Sequence, residues 1–276
     1  MPELPEVETI RKQLSEQLID AEIVDVEVRV PKIFVGPTSS PTTLGVNHIL
    51  DGEVIAKISR VGKYLFIHFS SGRGLAIHLK MTGRLVIDVH TYATVPHTRV
   101  VITFKNKRKI YYWDTRMFGY LHVESNIAEA EGIVKAKLGP EPWVIDDSEF
   151  LRRLQKTGRT IKDAILDQSL LAGVGNIYAS DGLWLAGIDP RRKANTLKLS
   201  EVKKLRMSLC TVLERGLATG GASDNSYVDA YGKRGAYQNE FLVYGRTGEP
   251  CRKCGRELKY LKIGGRGSWV CENCQK

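Results

Sequence analysis

Four of the five cysteines stand in two close pairs near the end of the chain. They follow the pattern C-x2-C-x16-C-x2-C at Cys251, Cys254, Cys271 and Cys274. Four thiolates at this spacing match the tetrahedral shell of one zinc ion, with a redox or iron site as the alternative. The four cysteines leave no coordination site for water, so we expect the metal to be structural. The segment between the pairs predicts a hairpin with Gly264–Gly265 at its turn. Arg266 would then lie at an exposed tip, either as a binding residue or as an ordinary solvated charge.

A second candidate for chemistry is the start of the chain, where Pro2 follows Met1 and Glu3 comes next. Proline in this position permits removal of the initiator methionine, which would leave a free amine on Pro2. A chain-terminal amine has a pKa of about 8, so roughly a tenth of it is neutral at pH 7. A neutral amine is the nucleophile of Schiff-base chemistry, and a neighbouring carboxylic acid can act as general acid. The simpler interpretation of these residues alone is an ordinary helix start.

Three further motifs carry residues suited to a polyanionic ligand. GVGNIYA places glycines ahead of a helix, where backbone amides and Asn176 could hold a phosphate. HLKMTG contains His78 and Met81, and DTRMFG places Arg116 close to Phe118. Apolar side chains beside arginine are how some proteins enter a base stack. Each motif taken alone also fits an ordinary glycine turn, a core side chain or a basic surface turn.

The periodicity of apolar residues indicates which elements position these groups. A helical stripe predicts a helix over residues 3–19, and eight short alternating runs after it predict a β-sandwich or barrel. A Pro/Gly-rich stretch at 138–143 is followed by helical patterns that end near Gly220. Ser148 and Ser200 are the predicted N-caps of two of these helices. A polar loop then runs to about residue 237, ahead of the cysteine segment.

The composition excludes some classes and favours a polyanionic partner. Of the 276 residues, 42% are hydrophobic and 26% are charged, which is ordinary for a globular chain of about two domains. We find no apolar run approaching ~18 residues and no secretory signal pattern. The net charge is +10, and ten basic against four acidic residues place +6 of it in residues 233–276. This favours nucleic acid first and an anionic membrane second, although a merely basic soluble protein is the alternative.

The motifs MPELPEVET, GKYL, HLKMTG, LGPEP, GVGNIYAS and VYGRTGEPC and the four-cysteine segment occur in this order along the chain. Together they resemble the bacterial formamidopyrimidine-DNA glycosylase family over essentially the whole length. The resemblance implies an α+β multidomain fold, in which an N-terminal helix and β-sandwich, a helix–two-turns–helix domain and a C-terminal zinc-finger β-hairpin hold DNA between two lobes. The implied boundaries are 1–130 for the catalytic domain, 131–146 for a linker, 147–236 for the helical domain with a lesion loop at 222–238, and 237–276 for the finger.

The same resemblance implies a bifunctional enzyme of base-excision repair. Such enzymes remove 8-oxoguanine and formamidopyrimidines from double-stranded DNA through a Schiff base, and then cut the abasic strand by β- and δ-elimination. In this family pattern Pro2 attacks C1′ of the flipped nucleotide and Glu3 assists as acid and base. The positions that match phosphate-gripping residues are Lys63, His78, Asn176, Tyr244 and Arg266, with Lys63 and Arg266 counted among the catalytic residues.

The gap left by the flipped base would be filled by Met81, Arg116 and Phe118, with Arg116 facing the orphaned cytosine. We expect a monomer in the bacterial cytoplasm that works at the nucleoid and has no membrane partner; the unpaired fifth cysteine suits that reducing compartment.

The chain departs from the family pattern at a few positions. Threonine stands at 98, methionine at 117 and aspartate at 181, and the loop run Ala222–Ser226 lacks the usual basic residue. These departures leave the lesion preference open. Two other functions also stay open: an endonuclease VIII-like glycosylase for oxidised pyrimidines, and a non-catalytic binder of damaged DNA if Met1 is retained.

Overall fold

A computed structural model of the chain describes residues 1–36, 50–224 and 226–276. The chain divides into two compact units, each built from two stretches of sequence. The first is Met1–Ala136 with Thr219–Ala236, and the second is Lys137–Ala218 with Tyr237–Lys276. The lesion loop expected at 222–238 therefore belongs mainly to the first unit, and its Asn225 lies outside the described residues. The other domain boundaries stay a prediction.

The first unit opens with helix α1, Leu4–Leu18. Glu3 is its N-cap residue with an extended backbone, and its amide donates a hydrogen bond to Glu6 Oε2 at 2.7 Å. Proline suits the first turn because the amide hydrogen it lacks would have no partner inside the helix. The buried stripe that predicted the helix consists of Leu4, Val7, Ile10, Leu14 and Leu18. The sequence prediction of this helix is confirmed to within one residue at each end.

Strands β1–β9 form the sandwich, which settles the earlier choice between sandwich and barrel. Their bounds are Ile23–Val28, Phe34–Val35, Ile55–Val61, Tyr64–Phe69, Gly74–His78, Arg84–Ile87, Thr98–Phe104, Lys109–Trp113 and Tyr120–Glu124. Among the described residues, one sheet has the order β1-β7-β8-β6 and the other β2-β9-β5-β4-β3, with only β2 and β9 parallel. One hydrophobic core joins α1 to side chains of both sheets and includes Tyr227 and Ala230 of the predicted lesion loop.

The remaining helices are α2–α6, which span Ile127–Lys137, Asp147–Gln155, Ile161–Leu166, Asn176–Ala186 and Leu199–Ala218. Helix α2 was not predicted and runs across the expected linker boundary at residue 130. The expected N-caps were wrong. Asp146, not Ser148, caps α3, because its carboxylate accepts the Glu149 amide at 2.8 Å. Ser200 lies within the first turn of α6, which begins one residue earlier. No helix of the described residues is long and apolar enough to cross a membrane.

The cysteine segment contains strands β10, Lys259–Ile263, and β11, Arg266–Val270, which pair antiparallel. Gly264 and Gly265 form the turn with φ of 55° and 77°. Two successive left-handed residues make the hairpin turn that glycine favours. Gly264 has a further reason to be glycine, since a Cβ atom there would overlap the carboxylate of Asp163. The predicted hairpin is confirmed, and its tip lies against helix α4.

Candidate functional site

The start of α1 places Pro2 and Glu3 in a buried position, and only 3% of Glu3 is exposed. Glu6 organises this segment. Its Oε2 accepts the Glu3 amide at 2.7 Å, and its Oε1 accepts the Ala222 amide at 2.7 Å. Glu6 thus joins the predicted nucleophile segment to the first residue of the predicted lesion loop. Sequence reasoning missed Glu6; the signal was an acidic residue one position before Val7 of the apolar stripe.

Lys63 and His78 lie next to each other because Tyr64 of β4 pairs with His78 of β5. Both side chains are buried. The amide of Lys80 donates to His78 Nδ1 at 3.0 Å, so the neutral ring carries its hydrogen on Nε2. Burial, followed by the charges of Lys80 and Lys63, lowers the pKa of His78 to about 3. His78 is therefore a neutral hydrogen-bond donor at physiological pH.

The neutral state of His78 also has a consequence for acid stability. The folded pKa of about 3 lies below the ordinary 6.5 of an unfolded chain. As the pH falls from 6.5 towards 3, His78 becomes protonated in the unfolded chain but stays neutral in the folded chain. The first unit is therefore expected to lose stability across this window, while above pH 6.5 the contribution is unchanged.

Met81, Arg116 and Phe118 form a contiguous surface group, which we call the wedge group. The guanidinium Nη1 of Arg116 donates to Met81 Sδ at 3.1 Å, and its Cζ atom lies 4.6 Å from the centre of the Phe118 ring. Met81 and Phe118 are 43% and 53% exposed. The structure thus brings Met81 together with two predicted residues that follow it by more than thirty positions in the sequence. They present two large apolar side chains beside one cation.

Asn176 is the first residue of α5, and Gly175 precedes it as N-cap. This helix start has no side-chain cap hydrogen bond. The Asn176 Nδ2 group donates to Gly267 O at 3.1 Å, while its Oδ1 atom is buried with no hydrogen-bond partner among the described residues. The contact ties Asn176 to the strand that carries Arg266.

Lys162 of α4 holds the same strand and was missed by sequence reasoning. Only 1% of it is exposed, and its Nζ donates to Gly267 O and to Ser268 Oγ at 2.7 Å each. Arg266 itself is about half exposed, with Nη1 4.0 Å from Asp163 Oδ1. A buried ammonium thus fixes the backbone of the hairpin, while the guanidinium next to it stays accessible. A lysine on the apolar side of IKDAIL was the available signal.

Tyr244 is held through its backbone and through its ring. Its amide donates to Asp181 Oδ1 at 3.0 Å, and its ring centre lies 4.2 Å from that of Trp269. Asp181 is fully buried and also accepts the amides of Leu242 and Val243 and the Tyr237 hydroxyl. Burial raises the pKa of Asp181, and these hydrogen bonds oppose that rise. The departure at 181 therefore keeps a carboxylate that organises the Tyr244 segment.

The other departures have structural roles as well. Thr98 is buried, and its hydroxyl donates to the Tyr92 carbonyl at 2.5 Å. Met117 adopts a positive φ of 55°, and its side chain packs against the core of the first unit instead of projecting a charge. Neither residue adds a charged group to the surface near the wedge group.

The four cysteine Sγ atoms lie within 4.8 Å of one another. Two of the separations are 3.9 Å for Cys251–Cys274 and 3.4 Å for Cys254–Cys271. A tetrahedral ion with Zn–S bonds of about 2.3 Å places its ligands about 3.8 Å apart, a value that lies between these two separations. The Gln275 side chain accepts the Cys271 amide and donates to Ile188 O, each at 2.9 Å. The site fits one structural zinc ion, as predicted.

A β-sandwich, a helical region and a four-cysteine hairpin together define a zinc-finger protein of the nucleic-acid-binding class. Three family models match the chain: the Formamidopyrimidine-DNA glycosylase N-terminal domain at residues 1–121, its H2TH domain at 138–227, and the zinc finger found in FPG and IleRS at 248–276. The chain belongs to the formamidopyrimidine-DNA glycosylase family. The resemblance inferred from the sequence motifs is confirmed.

Relatives and solved structures agree over the full length. Formamidopyrimidine-DNA glycosylases of Desulfitobacterium hafniense and Moorella thermoacetica are 40% and 42% identical, covering 100% and 95% of both chains. The structure of Lactococcus lactis Fpg with an abasic site containing DNA has a TM-score of 0.89 at 34% identity. MutM in complex with carbocyclic 8-oxo-G containing DNA gives the same values. Both structures cover 100% of each chain.

Proposed function

We propose that this chain excises oxidised purines, chiefly 8-oxoguanine and formamidopyrimidines, from double-stranded DNA and then cuts the strand at the abasic site. Full-length relatives that carry the glycosylase name support this, as do similar structures bound to damaged DNA. The observation on this chain that carries the proposal is the wedge group. Two exposed apolar side chains clustered around a cation are suited to filling a base stack.

The chemistry assigned to the start of α1 is nucleophilic. After removal of Met1, the Pro2 amine attacks C1′ of the everted nucleotide while the bond from C1′ to the base breaks. Glu3 donates a proton to the sugar ring oxygen as the bond from C1′ to that oxygen breaks, which opens the ring and gives the imine. Its carboxylate then takes protons back as the imine proceeds through β- and δ-elimination.

The remaining residues hold the DNA backbone and the empty place in the stack. Lys63 and Arg266 contribute charge at the phosphates around the lesion, while His78 contributes a neutral Nε2–H donor. The amide of Asn176 and the hydroxyl of Tyr244 complete the phosphate contacts. Arg116 faces the orphaned base. The protein acts as a monomer in the bacterial cytoplasm, which is supported by its bacterial relatives.

Borohydride trapping tests the nucleophile. On a duplex containing 8-oxoguanine we expect a covalent protein–DNA complex, because hydride reduces an imine to a stable amine. Peptide mapping should place the adduct on the peptide that begins with Pro2. Pro2→Gly retains an amine and should slow excision. An adduct on Lys63, with excision by Pro2→Gly intact, contradicts the assignment.

A matched chain separates catalysis from binding. An N-terminal Gly-Ser extension acylates Pro2 and removes its amine, and every other residue stays unchanged. We expect this chain to bind lesion DNA but to give no trapped complex. Excision by the extended chain would show that Pro2 is not the nucleophile. Absence of excision by the processed chain would favour a non-catalytic damage binder, and excision of oxidised pyrimidines alone would favour the endonuclease VIII-like function.

Salt dependence tests how the phosphates are held. Each phosphate neutralised by a permanent cation contributes about −0.9 to the slope of log K against log salt. Arg266→Ala should therefore flatten the slope by about 0.9 on all sequences alike. His78→Gln should weaken binding without changing the slope, because the imidazole it replaces is neutral. Equal slopes for Arg266→Ala and the wild-type chain would remove Arg266 from the site.

A further inference from the structure

A buried carboxylate lies directly beneath the wedge group. Asp114 has no exposed surface and follows strand β8, two residues before Arg116. Its side chain points into the first unit, where the described residues provide four hydrogen-bond donors. The donors are the hydroxyl of Thr82, the hydroxyl of Tyr112 at 3.2 Å, the amide of Arg116 at 3.1 Å and the amide of Gly119 at 3.0 Å. We call these groups the Asp114 cluster.

The cluster joins the two loops that carry the wedge group. Thr82 follows Met81 on the first loop, and it binds Asp114 Oδ1 together with the Arg116 amide. Oδ2 binds the Gly119 amide, one residue after Phe118. Arg116 is therefore bonded to this carboxylate through its own amide, while Met81 and Phe118 each precede a residue that is bonded to it. An ionised carboxylate can accept all four bonds, because it has acceptor sites on both oxygens.

Both loops also contain strained backbone that something must hold. Lys80 has φ of 50° and Met117 has φ of 55°, values that side chains other than glycine rarely adopt. Such conformations persist only where the surrounding structure fixes them. Gly119 is packed so closely that a Cβ atom would overlap the Tyr112 hydroxyl. The loops are thus held by the cluster in a conformation that their own sequences do not favour.

We propose that Asp114 is a positioning residue for lesion recognition, which preassembles Met81, Arg116 and Phe118 so that they can fill the stack when the nucleotide is everted. It does not touch DNA. A turn carboxylate that only stabilises the sandwich would need no bond to both loops. The wedge group is already assembled without DNA. Binding therefore does not have to meet the entropy cost of ordering its loops. This inference rests on the proposed function.

Asp114→Asn tests it with little change in size. The amide retains one acceptor oxygen, and its NH₂ group faces donors that it cannot satisfy. Leaving one such buried group unpaired should slow single-turnover excision of 8-oxoguanine from a duplex roughly 10- to 100-fold. The preference for cytosine over adenine opposite the lesion should narrow, because Arg116 loses its fixed position. Thr82→Val removes a single donor and should give a smaller loss of the same kind.

Borohydride trapping on a single-stranded oligonucleotide with a preformed abasic site distinguishes this proposal from a general folding defect. A folding defect in the Asp114→Asn chain would lower the trapping rate on this substrate, whereas the loss of a positioning role would not. Such a substrate has no orphaned base and no stack to fill, so the Asp114→Asn chain should be trapped at the wild-type rate. Loss of trapping there would overturn the proposal in favour of a purely structural role. Asp88→Asn is the matched control, since Asp88 also accepts a backbone amide, that of Lys109 at 2.8 Å, in a turn with positive φ. Its excision rate should stay within about twofold of wild type.

A double-mutant cycle decides how Asp114 acts. If it acts through the wedge group, then the loss in Asp114→Asn combined with Phe118→Ala should be smaller than the sum of the two single losses on the duplex, because part of the Asp114 effect passes through Phe118. Additive losses would mean that Asp114 works independently of Phe118 and would overturn the proposal. Unchanged duplex excision by Asp114→Asn would do the same. If the wild-type and Asp88→Asn chains both fail on the duplex, the proposed function itself is wrong, and the role of Asp114 falls with it.

Discussion

Glu3→Gln should lower the rate of base excision by roughly 10²- to 10⁴-fold, the usual contribution of a general acid or base. The substitution keeps the size of the side chain and the backbone amide that binds Glu6 Oε2, so α1 should begin in the same place. Only the exchangeable proton is lost. Single-turnover excision of 8-oxoguanine measures this loss directly, and DNA affinity measured in parallel should be nearly unchanged.

Strand cleavage at a preformed abasic site should suffer less from Glu3→Gln, because no glycosidic bond has to be broken there. Glu16→Gln is the control: Glu16 lies on the same helix, is exposed, and should leave both steps unaffected. Loss of DNA binding, or equal loss of both steps, would mean that Glu3 serves only to begin the helix.

Cys254→Ser should release zinc and unfold the chain from about residue 245 to its end. Apparent zinc binding in such fingers is worth roughly 10–16 kcal/mol, which exceeds what the core of a small hairpin supplies. Unfolding would detach β11 from Lys162 and Asn176 and remove the fixed position of Arg266, so DNA affinity should fall steeply. Metal analysis and amide hydrogen exchange along the chain measure the two parts of this prediction.

In Cys254→Ser the backbone amides of the β-sandwich strands should stay protected from hydrogen exchange, since these strands belong to the other unit. Cys210→Ser is the matched control. Cys210 lies half-buried on α6 of the unit that contains the finger, but it is not among the four clustered cysteines, so zinc content and affinity should stay normal. A finger that remains ordered without zinc would contradict the structural role of the metal.

Much of this architecture follows from local sequence patterns. The stripe from Leu4 to Leu18 and the alternation of the strands are set by periodicity, because one face of each element must be buried. The zinc site follows from the spacing of four ligands within two turns. The roles expected for Pro2 and Glu3 required more, since a proline and an acid at a helix start are also common for ordinary reasons.

Buried charged residues were the main features that could not be predicted. Asp114, Asp181 and Lys162 each bind groups distant in sequence or backbone amides. Nothing in the local sequence of the two aspartates distinguishes them from exposed turn or helix residues, and Lys162 is marked only by its place on the apolar side of IKDAIL. Asp181 accepts amides some sixty positions away. Their burial depends on partners that only the folded chain brings near. The assignment of residues 219–236 to the sandwich unit was hidden for the same reason.

Residues 219–236 return to the sandwich unit, so this unit consists of two separate stretches of sequence. Truncation of the chain at a single point therefore cannot yield the complete sandwich unit alone. A fragment ending at Ala136 would lack Tyr227 and Ala230 from its core, and the Glu6 carboxylate would lose the amide of Ala222. The predicted lesion loop therefore belongs to the same folding unit as the predicted nucleophile segment. Exchange of lesion loops between related proteins would be a graft into the sandwich, and its success would depend on core complementarity at least as much as on the residues that meet the base.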